Sequence, residues 1–292
     1  MPIKPRILTA LVLLAVFVPA AMFLPDWAWG ILISAVIGVA AWEWAGLAQF
    51  GKKGRLAYGL GLFACLVAFL LGIMDVDEDK AWSFIIGFYL VGNLFWFVVV
   101  PLWLYFRWSL KGAVGMFVGL LVFIPLWMLG LSYPPMKHIE GVNYFPRAFM
   151  LFWIGIAWIA AIAAYFAGRK FGRHQLAPSI NPEKTWEGAA GAFAAILCVP
   201  YMLVIFWLLV GSNTLLEFIG FFIKILCSVA GLTAACILGD LFVSLLKRQA
   251  NVTDSGTLLP GYGGVLDLFA STLALLAVWP IPFLFMFIGT MA

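Results

Sequence analysis

Residues 218–248 read FIGFFIKILCSVAGLTAACILGDLFVSLLKR. From Phe218 to Leu238 the only charge is Lys224, and a helix of that length crosses a hydrocarbon core of about 30 Å. Lys224, near the outer end, is expected to snorkel toward the headgroups. Asp240, Lys247 and Arg248 then follow within a few turns. Lipid offers no hydrogen-bond partners, so an apolar run of this kind is predicted to be a helix that satisfies its own backbone.

The same alternation organises the rest of the chain. Hydrophobic residues make up 65% of it, charged residues 10%, and mean hydropathy is +1.09, whereas an ordinary soluble domain is about a quarter charged. Apolar runs fall near residues 7–24, 27–44, 56–74, 81–105, 112–131, 148–166, 188–210, 218–238 and 266–288. The fold class expected is all-α, a polytopic integral membrane bundle of about nine transmembrane helices forming one domain over residues 1–292. The first run follows Lys4 and Arg6 and leads through Asp26 and Trp27 into the next apolar run. It lacks a small-residue cleavage site before polar sequence, so it is expected to be retained. Cys65, Cys198, Cys227 and Cys236 all lie within apolar runs at no metal-like spacing and are expected to be buried, inert thiols.

The basic residues orient the bundle. Of 17 Lys and Arg, one (Lys224) lies within a span; with the N-terminus inside, Lys80, Lys137 and Arg147 fall outside and the other thirteen inside. The C-terminus then faces outward. Two cytoplasmic loops, near 167–187 and 239–264, are long and polar enough to carry chemistry. The outer loop 132–147, with Lys137, His138 and Glu140, is expected to be a solvated connection, and the acidic loop Asp75–Asp79 also faces outward. Inverted repeats with Gly- or Pro-broken spans would suit a transporter and are not visible; a nucleic-acid partner is not expected.

Asp240, Ser244, Lys247 and Arg248 stand at i, i+4, i+7 and i+8, so they share a face if the helix continues into the cytoplasm. A carboxylate beside two cations suits a metal-bound polyphosphate; the alternative is plain positive-inside anchoring. Pro260-Gly261-Tyr262-Gly263-Gly264 directly precedes the last apolar run. Such a loop can turn backbone N–H groups and a helix dipole toward an anion, or serve as a flexible turn, and Asp267 falls in the first helical turn, where its charge is favoured. In the other loop, Arg169, Lys170 and Arg173 suit anionic headgroups. Lys184 and Glu187 start the seventh span, where Lys184 opposes the helix dipole. His174 is expected to be solvated. Glu43, between Trp42 and Trp44, is expected to anchor at the interface or to pair with a loop base.

These loops resemble the phosphatidate cytidylyltransferase (CDP-diacylglycerol synthase) family. Its signature runs Ser-x-x-Lys-Arg, four residues, Lys-Asp-x-Gly, then Pro-Gly-His-Gly-Gly-x-x-Asp-Arg-x-Asp-Ser. Here Ser244, Lys247, Arg248, Asp254, Gly256, Pro260, Gly261, Gly263, Gly264, Asp267 and Ser271 stand in register. Phe171-Gly172, Leu176-Ala177-Pro178, Pro182, Lys184-Thr185-Trp186-Glu187-Gly188 and Ala41-Trp42-Glu43-Trp44 match as closely. The resemblance implies that phosphatidate attacks the α-phosphorus of CTP, giving CDP-diacylglycerol and pyrophosphate at a bacterial-type inner membrane. It implies Asp240, Lys247, Arg248 and Asp267 as catalytic residues, with Mg²⁺ on Asp240 and Asp267. Lys184, Ser244, Asp254, Gly261, Gly263 and Gly264 would bind substrate. A second, monovalent cation and a homodimer are further family expectations.

The departures from the signature are concentrated in the motifs. The family has Lys at Thr253, His at Tyr262, Arg at Leu268, Asp at Ala270, Asp-Ser at Ala161-Ile162 and Glu at Val243. Two readings follow: an active synthase, or a weakened or silent member that binds lipid or nucleotide without efficient turnover.

Overall fold

The computed structural model describes residues 3–73, 87–131, 145–210 and 215–278. Its elements are α1 (Ile3–Phe23), α2 (Asp26–Leu47), α3 (Lys52–Ile73), α4 (Gly87–Phe106), α5 (Gly112–Leu131), α6 (Phe145–Phe171), β1 (Gln175–Ala177), β2 (Asn181–Thr185), α7 (Trp186–Val210), α8 (Leu215–Gln249) and α9 (Val265–Val278). The described part of each expected apolar run falls on a helix. Five of these, α2, α3, α4, α6 and α8, are long and apolar enough to cross a membrane; the described apolar parts of α1, α5, α7 and α9 are shorter. The chain is a multi-pass membrane bundle. The acidic loop Asp75–Asp79, and Lys137, His138 and Glu140 of the outer loop, lie outside the described residues.

The centre is α2 and α9, packed among α5, α6 and α8. Trp44 of α2 is fully buried and donates its indole N–H to the Gly115 carbonyl at 2.8 Å. Its ring meets Phe123 of α5 edge-on and Phe242 of α8 at a tilt. Phe242 in turn touches Phe95, Trp96 and Trp103 of α4, so one ring joins three helices. Further indoles close polar contacts in the interior: Trp29 donates to the Gly130 carbonyl at 2.7 Å, and Trp127 to Ser34 at 2.7 Å. A buried indole usually takes such a partner because its apolar body is at home in the core while its N–H is not; Trp96, fully buried in the same cluster, has none among the described residues. A π-helical turn spans Phe95–Val99 in α4, just where Pro101 has no N–H to return to the Phe97 carbonyl.

Small residues set the α6–α7 contact. A Cβ on Gly188 would come within 2.8 Å of the Ala164 carbonyl, and one on Gly191 within 3.1 Å of the Ala163 carbonyl. Without a hydrophobic drive between helices in lipid, this close backbone approach supplies the packing. Helices α2, α4 and α8 end on left-handed residues that are not glycine, Gln49, Arg107 and Asn251. The Gln249 amide fastens the last turn of α8 to the Arg107 and Trp108 carbonyls.

Three expectations are corrected. The stretch near 167–187 is not all loop: α6 runs on to Phe171, and β1 and β2 form an antiparallel hairpin pairing Gln175 with Thr185 and Ala177 with Asn181. Only Cys236 is buried, while Cys65, Cys198 and Cys227 are exposed, because the outer face of a membrane helix meets lipid rather than protein. Arg147 is not a solvated outer residue. It starts α6, is buried, pairs with Asp26 and donates to the Leu24 carbonyl at 2.6 Å.

Packing at one glycine gives a direct check. A Cβ on Gly119 would run into the Tyr58 hydroxyl and come within 2.9 Å of the Trp44 indole nitrogen, whereas a Cβ on Gly61 meets nothing within 4 Å. Gly119→Val is expected to destabilise by about 1–3 kcal/mol through overpacking, and Gly61→Ala to be neutral or slightly stabilising. Thermal unfolding in detergent checks both, with fluorescence of the Trp44 region as the probe.

Candidate active site

Helix α8 continues past the apolar run to Gln249, so Asp240, Ser244 and Lys247 do occupy one helical side. What meets them is the hairpin and the start of α9. Asn181 of β2 donates its amide to Ser244 Oγ at 3.1 Å. Three residues further along β2, Lys184 forms an ion pair with Asp240. Thr185 then caps α7, its hydroxyl accepting the Gly188 N–H at 3.0 Å, as an N-cap threonine does for the third helical residue. Lys184 therefore belongs to the strand rather than to the helix start, and its apparent conflict with the dipole disappears. The Asp240 charge holds its ammonium above the usual lysine range, against the opposing pull of burial. His174 is exposed but not merely solvated, since its Nδ1 sits 2.7 Å from Glu187.

Beside this pair lies a cavity of ≈ 140 Å³ whose lining includes Ala161, Tyr165, Glu183, Lys184, Asp240 and Ser271. Next along the chain to its lining residues Asp240 and Ser271, α8 and α9 cross closely, with Gly239 against the Ala270 carbonyl. Any side chain at Gly239 would drive the two helices apart. The site thus combines a lysine–aspartate pair, a hydroxyl and a wall of small residues.

Two turns nearer the helix end, Lys247 donates to Asp267 Oδ1 at 2.6 Å. Asp267 Oδ2 accepts from the Ser255 N–H at 2.6 Å, the Ser255 hydroxyl at 2.9 Å and the Gly264 N–H at 3.1 Å. The next two N–H groups, of Val265 and Leu266, donate to Glu43 at 3.0 and 2.9 Å. The Gly-rich turn bends through left-handed Gly261 and Gly263 (φ 82° and 96°), with Leu259 bonded to Gly263, and Thr9 of α1 holds the Pro260 carbonyl at 2.8 Å. The N–H groups expected to face an anion are therefore occupied by two carboxylates of the chain itself. Asp254 packs against Gly263, and Arg248 stays exposed. Glu43 is neither an interfacial anchor nor the partner of a base: it is fully buried against the start of α9. A charged residue inside an otherwise apolar run was the signal that singled it out; its partners, all far away in sequence, were not legible.

The donor set can be tested against a hard divalent cation. Mg²⁺ asks for one or two carboxylates and completes its shell with water and substrate phosphates, and no larger cluster of acids is gathered among the described residues. Asp240 fits: it opens on the cavity and pairs through Oδ2 alone. Asp267 fits through Oδ1, which accepts one hydrogen bond, while Oδ2 is filled by three donors. A lysine ammonium stands against each acid, a cation already in the position that such a charge demands.

The departures from the family signature divide by location. Val243, Leu268 and Ala270 are buried in the core, Ala161 lines the cavity, Ile162 faces outward, and Thr253 is exposed. Tyr262 is half-buried within the Gly-rich turn.

Comparison with known proteins agrees with this architecture. The profile of the cytidylyltransferase family matches residues 4–288. A Pseudomonas aeruginosa protein named phosphatidate cytidylyltransferase is 33% identical over 95% of both chains. One of the same name from Haemophilus influenzae is 27% identical over 91% of this chain and 93% of its own. A third, from Staphylococcus saprophyticus, is 38% identical over 49% of this chain and 50% of its own.

The hairpin's attachment to α8 is testable by a double-mutant cycle on Lys184→Ala and Asp240→Ala. The two losses are expected to be non-additive by about 0.5–3 kcal/mol, as for residues in direct contact. Hydrogen exchange across residues 175–185 is expected to accelerate in either single variant.

Proposed function

The chain belongs to the cytidylyltransferase family, and from that footing we propose that it is a phosphatidate cytidylyltransferase. It moves CMP from CTP to phosphatidate and yields CDP-diacylglycerol and pyrophosphate. A phosphate oxygen of phosphatidate forms a bond to the α-phosphorus of CTP. The bond from that phosphorus to the bridging oxygen breaks, and its electron pair leaves with pyrophosphate. The observation that carries this reading is the pair of lysine–aspartate contacts, Lys184 with Asp240 and Lys247 with Asp267, at one end of α8. Chemistry of this kind consists mainly of positioning and charge neutralisation.

In this reading Lys184, Lys247 and Arg248 meet phosphate oxygens, and the lysines exchange a carboxylate partner for substrate. Ser244, Asp254, Gly261, Gly263 and Gly264 shape the substrate side. Mg²⁺ on Asp240 and Asp267 Oδ1 would neutralise phosphate charge and polarise the reacting phosphorus–oxygen bonds; a monovalent cation is part of the same proposal. Ala161, Gly188 and Ala192 leave room beside Lys184 and Asp240. The silent reading is not favoured, because relatives matched along nearly the whole chain bear the enzyme's name.

The proposal extends to placement: a bacterial-type inner membrane, N-terminus and both polar loops cytoplasmic, C-terminus outside. The asymmetry of basic residues supports it. A homodimer is proposed on the resemblance alone.

Purified protein in lipid is expected to convert phosphatidate in a CTP- and Mg²⁺-dependent reaction, read as pyrophosphate release. Asp240→Asn is expected to lower kcat by about 10²–10³, the effect typical of removing one preorganised charge-stabilising group. Product formation that ignores CTP or Mg²⁺ would contradict the assignment. For placement, Ser179→Cys and Thr257→Cys in a cysteine-free background are expected to resist impermeant thiol reagents added outside intact cells. Labelling of either from outside reverses the orientation.

A further inference from the structure

One buried carboxylate takes no part in that mechanism. Glu43 sits on α2, 212 to 223 residues distant in sequence from the groups it touches. It is 0% exposed, and no Lys or Arg among the described residues pairs with it. Oε1 accepts the Val265 N–H at 3.0 Å; Oε2 accepts the Leu266 N–H at 2.9 Å and stands 3.0 Å from Ser255 Oγ. The surroundings are cut to its shape, since a Cβ on either Gly256 or Gly264 would collide with its carboxylate. A charge buried in a membrane helix without a counter-ion is costly, and mere helix capping does not account for it: an exposed Ser, Thr or Asp at the cap position does that at far lower cost.

We infer that Glu43 is a positioning residue for Asp267. The inference rests on the reading of Asp267 as part of the active site. Both carboxylates grip the same short piece of chain. Asp267 Oδ2 takes the Gly264 N–H and Glu43 takes the next two; Ser255 Oγ lies between them, 2.9 Å from Asp267 and 3.0 Å from Glu43. With Glu43 in place the Gly264, Val265 and Leu266 N–H groups all have carboxylate acceptors, and Asp267 Oδ1 is left for Lys247 or a cation. With Glu43 replaced by glutamine, the carboxamide keeps one acceptor oxygen and sets an N–H₂ where the other stood, so one of the two buried N–H groups loses its acceptor. Asp267 is the acceptor beside them, so the start of α9 re-pairs around it and Oδ1 is drawn from its place.

The test uses the full-length protein in lipid nanodiscs and the variants Glu43→Gln, Glu43→Asp, Ser255→Ala and Glu43→Gln with Ser255→Ala. Glu43→Gln is expected to lower kcat and raise the Mg²⁺ concentration for half-maximal rate, each by roughly ten- to a hundredfold, the range set by an unsatisfied buried donor. The KM for phosphatidate is expected to stay unchanged. Glu43→Asp, which keeps both acceptor oxygens, recovers part of the loss. The double variant is no worse than Glu43→Gln alone, because the serine acts within the same network. Hydrogen exchange over residues 253–267 accelerates in Glu43→Gln, a readout that requires no turnover. A lowered melting temperature with an unchanged Mg²⁺ half-saturation overturns the inference and leaves a purely structural residue. Additive losses, or unaltered exchange over 253–267, overturn it as well. If the wild type fails to convert phosphatidate while exchange responds as described, the enzyme reading falls, and Glu43 is left as a residue that holds the start of α9.

Discussion

A bilayer supplies no hydrogen-bond partners, and that constraint governs where polar groups of this chain end up. Trp44, Trp29 and Trp127 each carry an indole N–H into the interior, and each finds a carbonyl or hydroxyl on a neighbouring helix. Because such a bond has one geometry, it fixes the rotation of α2 against α5 more firmly than apolar contact alone. Phe242, ringed by aromatic side chains of α2 and α4, then locks α8 to the same frame. The glycines at 119, 188 and 191 allow the backbones to come this close.

The same rule shapes the site. Helix α8 passes from lipid-facing apolar turns into a polar end, and the acids and bases there are arranged as pairs rather than as isolated charges. Lys184 reaches Asp240 from the hairpin, and Lys247 reaches Asp267 from within α8 itself. Each carboxylate then has a cation at neutral pH. The raised pKa of Lys184 means that its part in this stabilisation is complete below the ordinary lysine range and is lost only as pH climbs beyond it. A pair of this kind can exchange one partner for a phosphate oxygen or a metal without leaving a charge bare. Glu43 is the exception, a buried acid held by backbone N–H groups and a serine.

Several features were legible from local pattern. The basic clusters marked span ends, the i, i+4, i+7 spacing marked the face of α8, and the Gly-rich turn marked the start of α9. Other features had no local signal. Nothing in the spacing of Lys184 indicates a strand, because β2 is stabilised by its docking on α8 rather than by intrinsic propensity. The exposure of Cys65, Cys198 and Cys227 has no local signal, because hydropathy does not distinguish a lipid-facing position from a protein-facing one. The burial of Arg147 has no local signal either, since its partners Leu24 and Asp26 lie more than 120 positions away, at the junction of α1 and α2.

The sequence by itself determined the class of protein, through apolar runs of bilayer length and motif residues in register with a known family. These depend on composition and spacing along the chain, which the solvent reads directly. Only the tertiary structure decided which acid meets which base, and that the N–H groups ahead of α9 bond Glu43 and Asp267 rather than an open anion site. The acid–base pairs join residues 56 and 20 positions apart, and Glu43 reaches the start of α9 from more than two hundred. Such contacts are set by how helices pack, and no periodicity along the chain encodes them.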